Sequence, residues 1–151
     1  MARQINDAGL RLIASFEGLR LDAYQDVAGI WTIGYGHIRG VGPGMTITEN
    51  QALAFLQEDA GQAAATVDAG TSSVATDDNQ FAAMVSLCFN IGSGNFRTSS
   101  VLRLHRAGNP AGAADAFLLW DKAYVNGELQ EVEGLKRRRQ REKELYLAPD
   151  A

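Results

Sequence analysis

Between Phe16 and His37 the chain reads FEGLRLDAYQDVAGIWTIGYGH, and two carboxyl groups and a hydroxyl in this stretch are able to do chemistry together. Glu17 follows Leu10 by seven residues and Ile13 by four, which places it on the apolar face of a helix. Partial desolvation there, and the negative end of the helix dipole, both favour its protonated form. Asp26 opens a D-V-A-G turn, where it is better solvated and stays ionised. One carboxyl biased toward the acid and one held ionised is the division of labour that glycosidic cleavage requires. The acid protonates the leaving oxygen; the carboxylate activates water or stabilises an oxocarbenium-like centre. By alternation Thr32 shares a strand face with Gly34 and Gly36, an open floor beside a hydroxyl that would hold water in line with Asp26. Taken singly, each has a plainer reading. Glu17 is then a solvated residue at a frayed helix end, Asp26 a turn residue and Thr32 a strand former.

The elements that must position these groups are legible from capping and periodicity. Asn6 caps a first helix over about residues 7–17, with Leu10, Ile13 and Phe16 inward and Gly18 as the stop. Residues 19–47 interleave glycines with Tyr24, Ile30, Trp31, Ile33 and Tyr35, the pattern of a small antiparallel sheet. Thr48 and Gln51 have capping-box spacing and open a helix to about Ala69. From Thr76 on the reading is helical: QFAAMVSLCFNIG, Ser99–Arg106, Ala111–Trp120 and about Glu133–Leu147. The expected fold is therefore α+β, a single domain over 1–151. A sheet sub-lobe over about 19–47 faces a helical sub-lobe over about 76–147, with the ligand cleft between them.

A chain of 151 residues with 46% hydrophobic and 21% charged residues is an ordinary globular composition, long enough to bury a core without staples. Cys88 is alone, which excludes a disulfide scaffold. No apolar run is long enough for a membrane span or an export signal. The stretch Lys136–Lys143, KRRRQREK, holds six of the 14 basic residues although the net charge is −4. Such asymmetry points to an anionic partner or to a structural use of the arginines.

The central stretch resembles the phage-type lysozymes (endolysins, glycoside hydrolase family 24). Their signature is Glu, eight residues, Asp, five residues, Thr and then I-G-x-G-H, here Glu17, Asp26, Thr32 and Ile33–His37. The flanking EGLRL, the downstream FNIGSG and TSSVLR, and the ending GLKRRRQRE are also similar, from about Asn6 to Leu147. The resemblance implies hydrolysis of the β-1,4 link between N-acetylmuramic acid and N-acetylglucosamine in bacterial peptidoglycan. It makes Glu17 the proton donor, Asp26 the second carboxylate and Thr32 the residue that places the water, with no cofactor and no metal. With no signal peptide or N-terminal anchor read in the sequence, the protein is expected to accumulate as a monomer in the host cytoplasm and to be released by a phage holin to the periplasmic wall. No membrane anchor, nucleic-acid partner or separate wall-binding domain is expected.

Other residues are assigned with alternatives open. His37 lies near the cleft in the family, though a lone histidine is more often a structural hydrogen-bonding residue. Phe89 and Asn90 offer an aromatic edge and an amide to a sugar, or else form a helix C-cap. Ser99 or Ser100 matches a substrate-contacting position, and Gly34 and Gly36 line the floor. Arg137 or Arg138 is the family's arginine beside the acid. On a helical wheel Leu135, Arg138, Glu142 and Leu145 share one side of the last helix, with Arg139 at its edge, Arg137 opposite and most of its charge exposed. His105, between Arg103 and Arg106, reads as a surface residue. The competing functions are a lytic transglycosylase, which needs no activated water, and a wall-binding module that has lost its chemistry.

Overall fold

The computed structural model describes residues 3–149, so both ends of the expected 1–151 span lie outside it. Asn6 caps α1 (Asp7–Phe16) by accepting from the Gly9 amide. The helix stops one residue earlier than expected because Glu17 takes extended backbone, φ −96° and ψ 138°, and leads into the sheet. There β1 (Arg20–Gln25) pairs antiparallel with β2 (Trp31–Gly34), with Tyr24 opposite Thr32. A bridge from Asp22 to Thr46 adds one more rung, and the Ile33 and His37 backbones bond each other both ways.

The helix expected from Thr48 to Ala69 is two helices, α2 (Glu49–Asp59) and α3 (Gly61–Gly70), meeting at the fully buried Ala60. The Thr48–Gln51 capping box is present. Gly61, a poor helix former, opens α3 at the break. The most buried element is α4 (Asp78–Ile91), whose residues Phe81 to Cys88 are all inaccessible. It packs on α1, on α3 and on the last helix. Three short helices follow: α5 (Ser93–Arg97), α6 (Ser100–Arg106) and α7 (Pro110–Ala116), the last running into a 3₁₀ turn over Phe117–Leu119.

The reading of an all-helical chain after Thr76 needs correction. β3 (Lys122–Val125) and β4 (Glu128–Glu131) form a hairpin closed by Asn126 and Gly127, both at positive φ, 52° and 83°. Asn-Gly is the preferred pair for a two-residue hairpin turn, so a local signal was there to be read. Tyr124 and Leu129 on it are exposed, so no core pattern marked its strands. The chain closes with α8 (Glu133–Leu147), within the expected bounds.

Candidate active site

Asp26 and Thr32 are brought together by one peptide group. The Asp26 amide donates to the Ile30 carbonyl at 2.9 Å, and the Thr32 hydroxyl donates to the same oxygen at 3.0 Å. In return Asp26 Oδ1 accepts from the Ala28 and Ile30 amides at 2.8 and 2.9 Å. This is the self-bonding that makes aspartate a turn residue, so the plain reading of Asp26 is also correct. Among the described residues nothing bonds Asp26 Oδ2. Thr32 is buried and has spent its only proton on Ile30, so its lone pairs can only accept.

Glu17 stands where α1 hands over to β1, its side chain 33% exposed. Arg138 of α8 settles the choice between the two arginines: its Nη1 donates to Glu17 Oε1 at 3.3 Å, whereas Arg137 is exposed. Arg138 is itself almost inaccessible. Its Nε donates to Glu142 Oε2 at 3.3 Å, and its Nη2 to the Ser86 carbonyl and hydroxyl oxygens at 3.3 and 3.5 Å. Ser86 in turn donates to Glu142 at 2.5 Å. Arg139 is fully buried and donates through Nη2 to Glu142 Oε2 at 3.2 Å. Its Nε faces Oε1 at 2.7 Å, a close ion pair whose angle does not make a hydrogen bond. Burial pushes the Glu142 carboxyl up and the Arg139 guanidinium down from their ordinary values, against the pull of each on the other. Most of the charge of this helix is exposed, as expected, and its buried face is formed by Arg138 and Glu142 from the side shared with Leu135 and Leu145, joined by Arg139 from the edge of that side.

The remaining candidates divide. His37 is buried, stacked on Phe55 with ring centroids 4.2 Å apart, and its Nδ1 lies 2.9 Å from Asp59 Oδ2. Asp59 and Phe89 together line a groove of about 370 Å³ with Gln62, Ala63, Cys88, Gly92 and Ser93. Asn90 is exposed near the end of α4. Ser99 is not free to meet a ligand: it caps α6, accepting from the Leu102 amide and donating to the Phe96 carbonyl. Ser100, half-buried, opens that helix. Gly34 is not part of an open floor either. A Cβ there would stand 3.3 Å from Ala52 Cβ and 3.4 Å from Ile47 Cδ1, and its φ of +66° ends the strand. Alternation therefore does not carry on to Gly36, which is exposed in the following turn at φ +91°. His105 is also corrected, since it is buried and bonds Thr76 at 2.8 Å and Tyr146 at 2.7 Å. Burial lowers its basicity and pushes the Tyr146 phenol up to about 12.

The family model described as phage lysozyme matches residues 14–142. The chain belongs to this family. It is 46% identical over 142 residues to the endolysin of Acyrthosiphon pisum secondary endosymbiont phage 1, an alignment covering 94% of this chain and 97% of that one. Among solved structures, the endolysin from Escherichia coli O157:H7 phage FAHEc1 superposes with a TM-score of 0.86 at 42% identity, covering 96% and 94% of the two chains. A mutant of P22 lysozyme superposes with a TM-score of 0.80 at 42% identity, covering 97% and 99%. This phage lysozyme is accordingly a muramidase-type glycoside hydrolase with a peptidoglycan-lysing role, on the α+β lysozyme-like fold. Sequence reasoning missed Asp59, Ser86 and Ile30 as supports of the site, because each acts through a tertiary contact or its backbone. Glu142 had a signal, its place beside Arg138 on the helical wheel.

Proposed function

We propose that this phage lysozyme hydrolyses the β-1,4 bond between N-acetylmuramic acid and N-acetylglucosamine, with Glu17 as general acid and Asp26 and Thr32 holding the water. The observation that carries this is the shared Ile30 carbonyl. With its proton committed there, Thr32 accepts one O–H of a water, Asp26 Oδ2 accepts the other, and a lone pair of the water is left for the anomeric carbon. Arg138 occupies Glu17 Oε1, leaving Oε2 to carry the proton that goes to the leaving oxygen. As the glycosidic bond breaks, the water adds, its second proton passes to Asp26, and a new reducing end forms. Phe89 and Asn90 at the end of α4 supply the surface for a flanking sugar, and the buried His37 holds Asp59 of the same groove in place.

We extend the proposal to a monomer held in the host cytoplasm until a holin admits it to the wall. Mass spectrometry of digested peptidoglycan tests the chemistry. Reducing-end muropeptides are expected, together with their loss in Glu17→Gln by the ~10²–10⁴-fold that a general acid contributes. Anhydro-muramic ends would replace this reading with transglycosylation, and full activity in Glu17→Gln would remove Glu17 from the role.

A further inference from the structure

A guanidinium against a general acid poses a problem of charge, because a full ion pair favours the ionised carboxylate and an ionised Glu17 has no proton to give. The contact here is a loose one. Arg138 stands between two carboxylates at equal distance, Glu17 and Glu142 each at 3.3 Å, whereas Arg3–Asp78, Arg39–Glu58 and Arg139–Glu142 close to 2.7, 2.9 and 2.7 Å. Charge-assisted N–H···O⁻ bonds ordinarily settle near ~2.7–2.9 Å. The other nitrogens of Arg138 are held from behind, Nε by Glu142 and Nη2 by Ser86. Glu142 is wholly buried between two guanidiniums and takes the Ser86 hydroxyl as well, so neither its place nor its charge is left to solvent.

We propose that Glu142, seated by Ser86, is a positioning residue for catalysis: it shares the charge of Arg138 and holds that guanidinium back, so that Glu17 is oriented but keeps its proton. The charged groups facing Glu142 are Arg138 and Arg139 from its own helix and, beyond Arg138, Glu17 from the end of α1. From α4 it meets Ser86, while Trp120, directly after the 3₁₀ turn, offers its carbonyl to Arg139 Nη1 at 3.3 Å. Asp121, just beyond that turn, is paired with Lys122. The inference rests on Glu17 being the acid.

The pH profile of kcat/KM decides it. In Glu142→Gln the shape is kept and the negative charge lost, so Arg138 turns wholly to Glu17. The alkaline limb then moves to lower pH and activity on that side falls about tenfold, short of the ~10²–10⁴-fold that losing the acid itself would cost, with KM unchanged. Arg139→Met acts oppositely: Glu142 then neutralises Arg138 alone, and the limb moves to higher pH. Arg139→Met/Glu142→Gln removes an opposite pair together, which buried sites tolerate better than removing one partner, and its limb moves to lower pH as in the single glutamine variant. A limb that stays at its wild-type position in those of the three that still melt cooperatively overturns the proposal and leaves Glu142 a structural residue. Full activity in Glu17→Gln would instead overturn the reading of Glu17 on which the proposal rests.

Discussion

Replacing Thr32 with valine separates the two jobs its side chain holds. The swap keeps the branched shape and deletes a buried hydroxyl that donates to Ile30 at 3.0 Å. A neutral hydrogen bond contributes about 1 kcal/mol net. The larger penalty of an orphaned carbonyl does not arise, because Ile30 still accepts from the Asp26 amide at 2.9 Å. The melting temperature should therefore fall by only roughly 2–4 °C in a chain of this size. Activity should fall much further. Without the Thr32 acceptor the water loses one of its two anchors, and misplacing a reacting group costs about 100-fold, or about 2.7 kcal/mol at ~1.36 kcal/mol per decade. Reducing-end release on purified peptidoglycan, run beside a thermal melt, measures both. Turnover within about threefold of wild type, far short of the ~100-fold expected, would refute the water-positioning role. A collapse in melting temperature far beyond ~4 °C would show instead that the hydroxyl mainly holds the hairpin together.

Three further outcomes follow from the geometry. Ser99→Ala should destabilise by ~1 kcal/mol, the value of an N-cap, with KM unchanged; a raised KM at an unchanged melting temperature would return Ser99 to the substrate. Gly34→Ala should cost about 1–2 kcal/mol for its left-handed backbone alone, with added crowding against Ala52, and calorimetry showing no loss would contradict the close packing. For pH, burial lowers His105, so the unfolded chain takes up its proton first as pH falls below the ordinary histidine value of 6.5. Stability carried by the neutral ring is complete above that value and is lost toward acid. Thermal melts should show a steeper acid decline in wild type than in His105→Gln, and parallel curves would mean that His105 does not contribute.

Much of the site was legible because its parts lie close together in the chain and obey local rules. Asn6 and the Thr48–Gln51 box cap helices as their types dictate, and Asp26 closes its own turn. The family signature of Glu17, Asp26 and Thr32 spans a single helix-to-hairpin segment, so its spacing alone carried the assignment. Period-two alternation misled beyond Ile33, since the positive φ of Gly34 turns the chain and ends the face it was to share with Gly36. The Asn-Gly hairpin went unread because Tyr124 and Leu129 face solvent, and hydrophobic patterning is blind to a strand that buries nothing.

What the sequence determined by itself is the set of groups and the local frames that hold them: an acid at a helix end, a self-bonded aspartate, a hydroxyl on the next strand. Which partners those groups meet was decided only by tertiary packing. Glu17 and Arg138 are 121 residues apart, and Ser86 and Arg138 are 52 apart. A helical wheel showed that some arginine faces inward. It placed Arg139 only at the edge of that side and could not show that it follows Arg138 into the interior, because two buried guanidiniums are tolerable only around a buried carboxylate, and Glu142 becomes one only by packing against Ser86 of α4. The choice of Asp59 for His37 likewise came from packing α2 against the sheet, which brings together side chains that nothing in their separate neighbourhoods connects.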